Sequence, residues 1–205
     1  DVYKRQAYLI NAYNILVIKN VVDHYPIDSP LSIKGFFDNI EFNVGGELLT
    51  LNEIEHEKLF KLKKDHRFHY VLVCAAVGCP YIENYAYTPE DLESQLSQRE
   101  KIILEDKRFV NVDHIRKAII LNQIFEWYEK DFLSDSKSLV DYLNQNFDKS
   151  ITADYSITFQ QYNWKLNNKT SSTSKVTEKN LQSYTPSALL NKGEYEVKVF
   201  NNIYT

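Results

Sequence analysis

The sequence predicts an α+β fold: a central buried helix and flanking helices on a mainly antiparallel sheet. Three patterns carry that expectation. Residues 7–25 form an apolar stretch of helical length that stops at Pro26, where a helix cannot continue. Residues 68–76 are an almost unbroken apolar and β-branched run, the pattern of a buried strand. Residues 108–112 and 117–121 alternate apolar and polar side chains, as the two arms of a hairpin do. A chain of 205 residues, 43% hydrophobic and 25% charged, holds enough for one good core plus a tail.

The elements follow in order. The chain has no Met, and its first six residues, D-V-Y-K-R-Q, read as a translated sequencing adaptor on a truncated reading frame. Residues 1–6 are therefore set apart from the fold. In the first helix, Leu9, Ile10, Ile15, Leu16, Val17, Ile18 and Val21 fall on nearly every face, which places the helix in the middle of a domain. Asn11, Asn14, Lys19, Asn20 and Asp23 interrupt the stretch, so it is a buried helix of a soluble domain rather than a membrane span. Asn14 shares a face with Ile10, Val17 and Val21, and a buried amide there needs hydrogen-bond partners.

Residues 35–49 read as a loop and hairpin around Gly45-Gly46. Thr50 and Glu53 then form a capping box that opens a helix over residues 51–63. Leu51, Ile54, Leu59 and Leu62 are its apolar stripe, and Glu55 lies inside that stripe. A carboxylate on the core side of a helix must be paired, for instance with Arg67 or Lys58, or must titrate abnormally. His56 points about 100° away from it by helix geometry.

After the 68–76 strand, Gly78 breaks the run and Cys79 stands directly before Pro80. Proline favours the first position of a helix, so Cys79 occupies an N-cap position. The macrodipole would stabilise its thiolate there. A second helix starts at Thr88-Pro89-Glu90-Asp91 and runs to about residue 105. The 108–121 hairpin follows, then short helices over 122–132 and 138–147 and a last strand over 155–166. Residues 168–180 form a flexible linker. Residues 181–205 start a further, truncated segment whose G-E-Y-E-V-K-V-F alternates as a strand does.

These residues suggest thiol chemistry. A net charge of −4 leaves no broad basic field for nucleic acid. Two cysteines make no disulfide framework. Cys79 is the candidate nucleophile, His69 or His56 the base, and Glu55 the group that orients the imidazole. Amides of the Pro80 helix, with Asn14 or Asn11, would supply oxyanion donors. Cys74, mid-strand, reads as a packed core thiol, and a Cys74–Cys79 disulfide would join a strand to its own turn. His69 reaches Cys79 only if the A-A-V-G turn folds back, because an extended strand separates them by about 3.3 Å per residue. His24, His66 and His114 read as solvated. Two alternatives stay open: a zinc centre of His56, His69, Cys74 and Cys79, whose spacing fits no common signature, and a non-enzymatic interaction module.

Six phrases occur together: Y-L-I-N-A-Y-N (8–14), L-T-L-N-E-I-E-H (49–56), R-F-H-Y-V-L-V-C-A-A-V-G-C-P (67–80), Y-T-P-E-D-L (87–92), I-F-E-W-Y-E-K-D-F (124–132) and Y-N-W-K-L-N (162–167). The set resembles the bacterial branch of domain-of-unknown-function family 547, over residues 7–167 and in the family's order. That resemblance implies a cysteine-dependent enzyme of the papain and transglutaminase type. Its Glu, His and Cys set falls on Glu55, His69 or His56, and Cys79. The implied activity is hydrolysis or acyl transfer on an amide or ester such as a peptide. It needs no cofactor, metal or nucleic acid, and the main domain does not insert into a membrane. The resemblance also points to the periplasm or cell envelope and to a domain that normally begins further upstream. After I-E-H the family continues with a hydrophobic residue and an arginine, whereas this chain has E-K-L-F-K. The K-G-E-Y-E-V-K-V-F-N-N-I-Y-T phrase resembles the first strand of an outer-membrane-barrel-like protein.

Overall fold

Helix α1, Val2–His24, opens a computed structural model that describes residues 1–168. The expected linker, from residue 169 on, and the expected tail strand lie outside the described residues. Asp1 caps α1, its carboxylate accepting from the N–H groups of Tyr3 and Lys4 at 2.9 and 3.4 Å. The helix ends before Pro26, as expected. Its position differs from the expectation. Ala7, Ile10, Tyr13 and Val17 are buried, but Tyr8, Ile15, Ile18 and Val22 are exposed. The helix covers one side of the domain and packs one face against the next helical segment. Its all-round apolarity over-stated its burial.

Strands β1, Phe42–Val44, and β2, Glu47–Leu49, form the expected hairpin, with Phe42 opposite Leu49. The capping box closes as read. Glu53 accepts from the Thr50 N–H at 2.8 Å, and the Glu53 N–H donates to Thr50 Oγ1 at 3.2 Å. Thr50→Ala should cost about 1 kcal/mol of stability, read as a lower urea midpoint at unchanged slope. The helix then widens into a π-helical segment, Glu53–Leu59, before α2, Phe60–Leu62. Such widened turns are uncommon and recur at functional sites; this one carries Glu55.

The expected strand over 68–76 is absent. Helix α3, Phe68–Val71, stands there, followed by irregular chain with a single bridge from Ala76 to Leu166. A continuous apolar run marks burial but does not separate strand from buried helix. Helix α4, Leu92–Glu105, starts just after the expected Thr88 signal, with Asp91 at its cap. Strand β3, Val110–Asp113, pairs antiparallel with β4, Ala118–Asn122. Strand β5, Ser156–Gln160, joins parallel to β4. Short helices α5, Ile124–Trp127, α6, Glu129–Phe132, and α7, Leu139–Asn146, lie between. The fold is α+β. Its core centres on α3, where Tyr70, Phe125, Phe132 and Tyr142 pack ring against ring and are fully buried.

Candidate functional site

Backbone hydrogen bonds build the site. Asn14, buried on α1, clamps the chain after α3: its Nδ2 donates to the Val71 carbonyl and its Oδ1 accepts from the Val73 N–H, both at 2.9 Å. Past Val73 the chain reverses. Ala75 adopts φ 62°, a left-handed conformation that costs a non-glycine residue about 1 kcal/mol or more. The Cys79 N–H closes the turn on the Ala76 carbonyl at 3.1 Å. The outer edge is pinned by the C-terminal strand region. The N–H groups of Val77 and Gly78 donate to Lys165 and Asn163, and that of Asn167 donates to Ala75, at 2.8–2.9 Å. Gly78 is required by this approach, because a Cβ there would lie 3.0 Å from the Asn163 nitrogen and 3.1 Å from the Tyr162 ring. The A-A-V-G turn therefore does fold back.

The fold-back exchanges the expected burial of the two cysteines. No helix follows Pro80, since α4 begins only at Leu92, so Cys79 has no macrodipole beneath it. Its side chain is buried at 3% exposure, and its sulfur accepts the Cys74 N–H at 2.9 Å. Burial pushes the Cys79 thiol well above its usual pKa, and the adjoining Cys74 adds to the rise. Cys74 is half-buried, with its sulfur 3.0 Å from the Tyr162 hydroxyl. Hydrogen bonding from the Cys79 thiol first, then from Tyr162, holds the Cys74 thiol below the ordinary cysteine range against the desolvation that opposes it. The two thiols are thus shifted in opposite directions, Cys74 down and Cys79 up.

A cavity of about 540 Å³ opens beside this turn, and Glu55, His69, Cys74 and Cys79 all line it. The lining is also aromatic: the Tyr162 ring lies 4.9 Å from Trp127 and 4.8 Å from Trp164, centre to centre. His69, on α3, is stacked on Tyr128 at 3.8 Å, and its Nε2 lies 2.8 Å from Asp131 Oδ2 on α6. The His69 hydrogen bond, foremost, holds Asp131 below the usual carboxylate range. An ionised carboxylate only accepts, so Nε2 carries a proton, and the tautomer compatible with this contact has its lone pair at Nδ1. Among the described residues nothing hydrogen-bonds that Nδ1. His56 is exposed, packs near Phe60 and does not line the cavity. Among the described residues neither imidazole hydrogen-bonds either sulfur.

Glu55 is buried at 7% exposure. Its expected cationic partners are engaged elsewhere, Arg67 with Asp65 and Glu93 and Lys58 with Glu47. Glu55 has no ion pair among the described residues. Burial pushes its carboxyl up, while the neighbouring His56 and His69 imidazoles and the Tyr13 hydroxyl pull the other way. It does not hold the His69 ring; Asp131 does. The two expected oxyanion amides are also committed. Asn11 bonds the backbone of Tyr87 through both its oxygen and nitrogen, at 2.9 and 2.8 Å. Asn14 bonds Val71 and Val73 in the same manner, and neither Asn11 nor Asn14 lines the cavity.

The four residues weighed for zinc do not assemble. Among the described residues no three His, Cys, Asp or Glu side chains are grouped to hold a metal ion. His24 and His114 are exposed, whereas His66 is half-buried against Glu100 at 2.8 Å rather than solvated. Sequence reasoning missed Asp131, Tyr162, Trp127 and Trp164. All four sit in the two C-terminal phrases quoted above, but nothing in their spacing pairs them with a histidine or a thiol 60 to 90 residues earlier. No helix among the described residues is long and apolar enough to cross a membrane.

Among known protein families, the model described as "Protein of unknown function, DUF547" matches residues 3–104. The matched segment contains Glu55, His69, Cys74 and Cys79, and ends before Asp131 and Tyr162. No curated protein and no solved structure matches the chain.

Proposed function

Over residues 3–104 the chain belongs to the DUF547 family, whose description names no activity, and on that premise we propose that the protein performs thiol-dependent acyl chemistry on an amide or ester. One observation carries the reading: Cys74, His69 and Glu55 share the wall of a single aromatic-sided cavity. Cys74 is the attacking sulfur, forming a C–S bond to the acyl carbon as the bond to the amine or alcohol breaks. His69 takes the thiol proton at Nδ1, and Asp131 fixes the ring's tautomer and orientation. Glu55, whose carboxyl burial pushes up, in its protonated form donates to the developing oxyanion or leaving group. The two carboxyls are pushed in opposite directions, Asp131 down and Glu55 up, and such divergence separates an orienting base from an acid. Water then releases the acyl group in hydrolysis; an amine or alcohol releases it in transfer. Hydrogen bonds between catalytic groups often tighten only when substrate fills the site, and His69 and Cys74 line the same cavity.

The test uses the intact protein and a panel of p-nitrophenyl esters. A covalent acyl adduct should appear on Cys74 in peptide mass spectra, and His69→Asn should slow its formation about 10²–10⁴-fold. An adduct confined to Cys79, or one forming equally fast in urea-unfolded protein, would sink the reading. One feature favours a second reading, an interaction module: the exposed Ile15, Ile18, Val22 and Tyr25 on the outer side of α1. Partner binding there would survive Cys74→Ala unchanged.

A further inference from the structure

The reversed loop holds two thiols with unequal access to solvent, and this inequality has a consequence independent of acyl chemistry. Cys74 faces the cavity, half-buried. Cys79 lines the same cavity but is more deeply buried, at 3% exposure, its sulfur 2.9 Å from the Cys74 backbone nitrogen. The left-handed Ala75 and the Cys79-to-Ala76 turn produce this approach, and the 163–167 segment locks it from outside. A disulfide needs sulfurs in contact on a backbone brought within about 4.4–6.8 Å between Cα atoms. An extended strand cannot meet that demand over five residues; this loop brings the Cys79 sulfur against the Cys74 main chain.

We propose that Cys74 and Cys79 form a reversible redox pair: a hydroperoxide oxidises Cys74, and Cys79 resolves the product into a disulfide that closes the site. In the first step the Cys74 thiolate attacks the terminal peroxide oxygen. An S–O bond forms and the O–O bond breaks. The departing oxygen is reduced and leaves as an alcohol, or as water from hydrogen peroxide, once protonated. Cys74 becomes a sulfenic acid. In the second step Cys79 attacks the Cys74 sulfur. The S–S bond forms, the S–O bond breaks, and the hydroxyl leaves with the Cys79 proton as water. Two thiols lose two electrons and one hydroperoxide gains them; a dithiol reverses the change by exchange. Burial makes Cys79 a poor nucleophile toward anything outside, while its contact with Cys74 gives it the effective concentration of a unimolecular step. The pair therefore resolves internally rather than with a soluble thiol.

The experiment exposes the full chain to hydrogen peroxide at neutral pH, blocks free thiols with N-ethylmaleimide, and digests with trypsin. Both cysteines fall on the single tryptic peptide 68–99. The expected result is that peptide unalkylated and lighter by two hydrogens, with both thiols recovered after dithiothreitol. Cys79→Ser should then drive Cys74 to sulfinic acid on the order of tenfold more than wild type, since no resolving thiol remains. Wild-type peptide that stays doubly alkylated, or that carries sulfinic Cys74 beside alkylated Cys79, overturns the proposal. This readout needs neither a folded variant nor a substrate. The disulfide without any acyl adduct would uphold the pair and remove the proposed acyl chemistry; the adduct without the disulfide would do the reverse.

Discussion

Asn14→Ala should destabilise the domain by about 2–5 kcal/mol, the largest stability loss expected of any polar substitution in α1. The side chain is 5% exposed and satisfies two main-chain groups that α3 leaves behind, the Val71 carbonyl and the Val73 N–H. Removing it strands both in a buried site, and each unsatisfied group costs about 1–3 kcal/mol. Asn11→Ala removes a similar pair of bonds to Tyr87, but that site is half-buried and open to water, so the loss should be smaller. Urea titrations of the two variants, compared at equal slope, measure the difference. Asn14→Ala should also raise the pKa of Cys74, because the clamp sets where the reversed loop begins. Equal midpoints for Asn14→Ala and wild type would mean that the loop holds itself, and that the clamp contributes nothing to placing the thiol.

The same clamp shows what could be read in the sequence. That Asn14 sits on an apolar face was visible from helical spacing, and so was its need for partners. Which partners it takes depends on where residues 71–73 pass, and no local pattern encodes that. The capping box at Thr50 and Glu53, the hairpin at Gly45-Gly46 and the pairing of residues 110–113 with 118–122 are local in sequence, and they formed as read. The run 68–76 was misread because apolar content reports burial, while helix or strand is decided by tertiary packing. Misreading the run also misplaced the burial of the two thiols. A strand would keep Cys74 in the core and leave Cys79 free at a helix start; the helix and reversed loop turn Cys74 to the cavity and bury Cys79. Glu55 was legible because a carboxylate in an apolar stripe is a local anomaly. Asp131 was not, because an acid in a short amphipathic helix is ordinary until His69 arrives from 62 residues away.

Glu55→Gln should separate stability from chemistry in opposite directions. Gln has nearly the shape of Glu and stays neutral at all pH. Burial raises the folded-state pKa of Glu55 above its unfolded value, about 4.3. Between those two values the folded state binds more protons than the unfolded state, so unfolding free energy falls as pH rises. The stability contributed by the protonated group is fully present below about pH 4.3 and is lost as pH climbs through the folded pKa. Glu55→Gln removes that slope. At pH 7 the variant should be more stable than wild type by about 0.5–2 kcal/mol, the gain usual when a destabilised functional group is relieved. Below pH 4 the two should converge. Acylation of Cys74 by an unactivated amide should fall about 10²–10⁴-fold in the same variant, since the departing amine needs a proton that Gln cannot transfer. Thermal unfolding from pH 4 to pH 8, paired with single-turnover acylation, gives both readouts. A variant less stable than wild type at pH 7 would identify Glu55 as an ionised structural partner, and the acid role would go with it. A variant more stable yet equally reactive would keep the titration and move the oxyanion donor to the Tyr162 hydroxyl, which already touches the Cys74 sulfur at 3.0 Å.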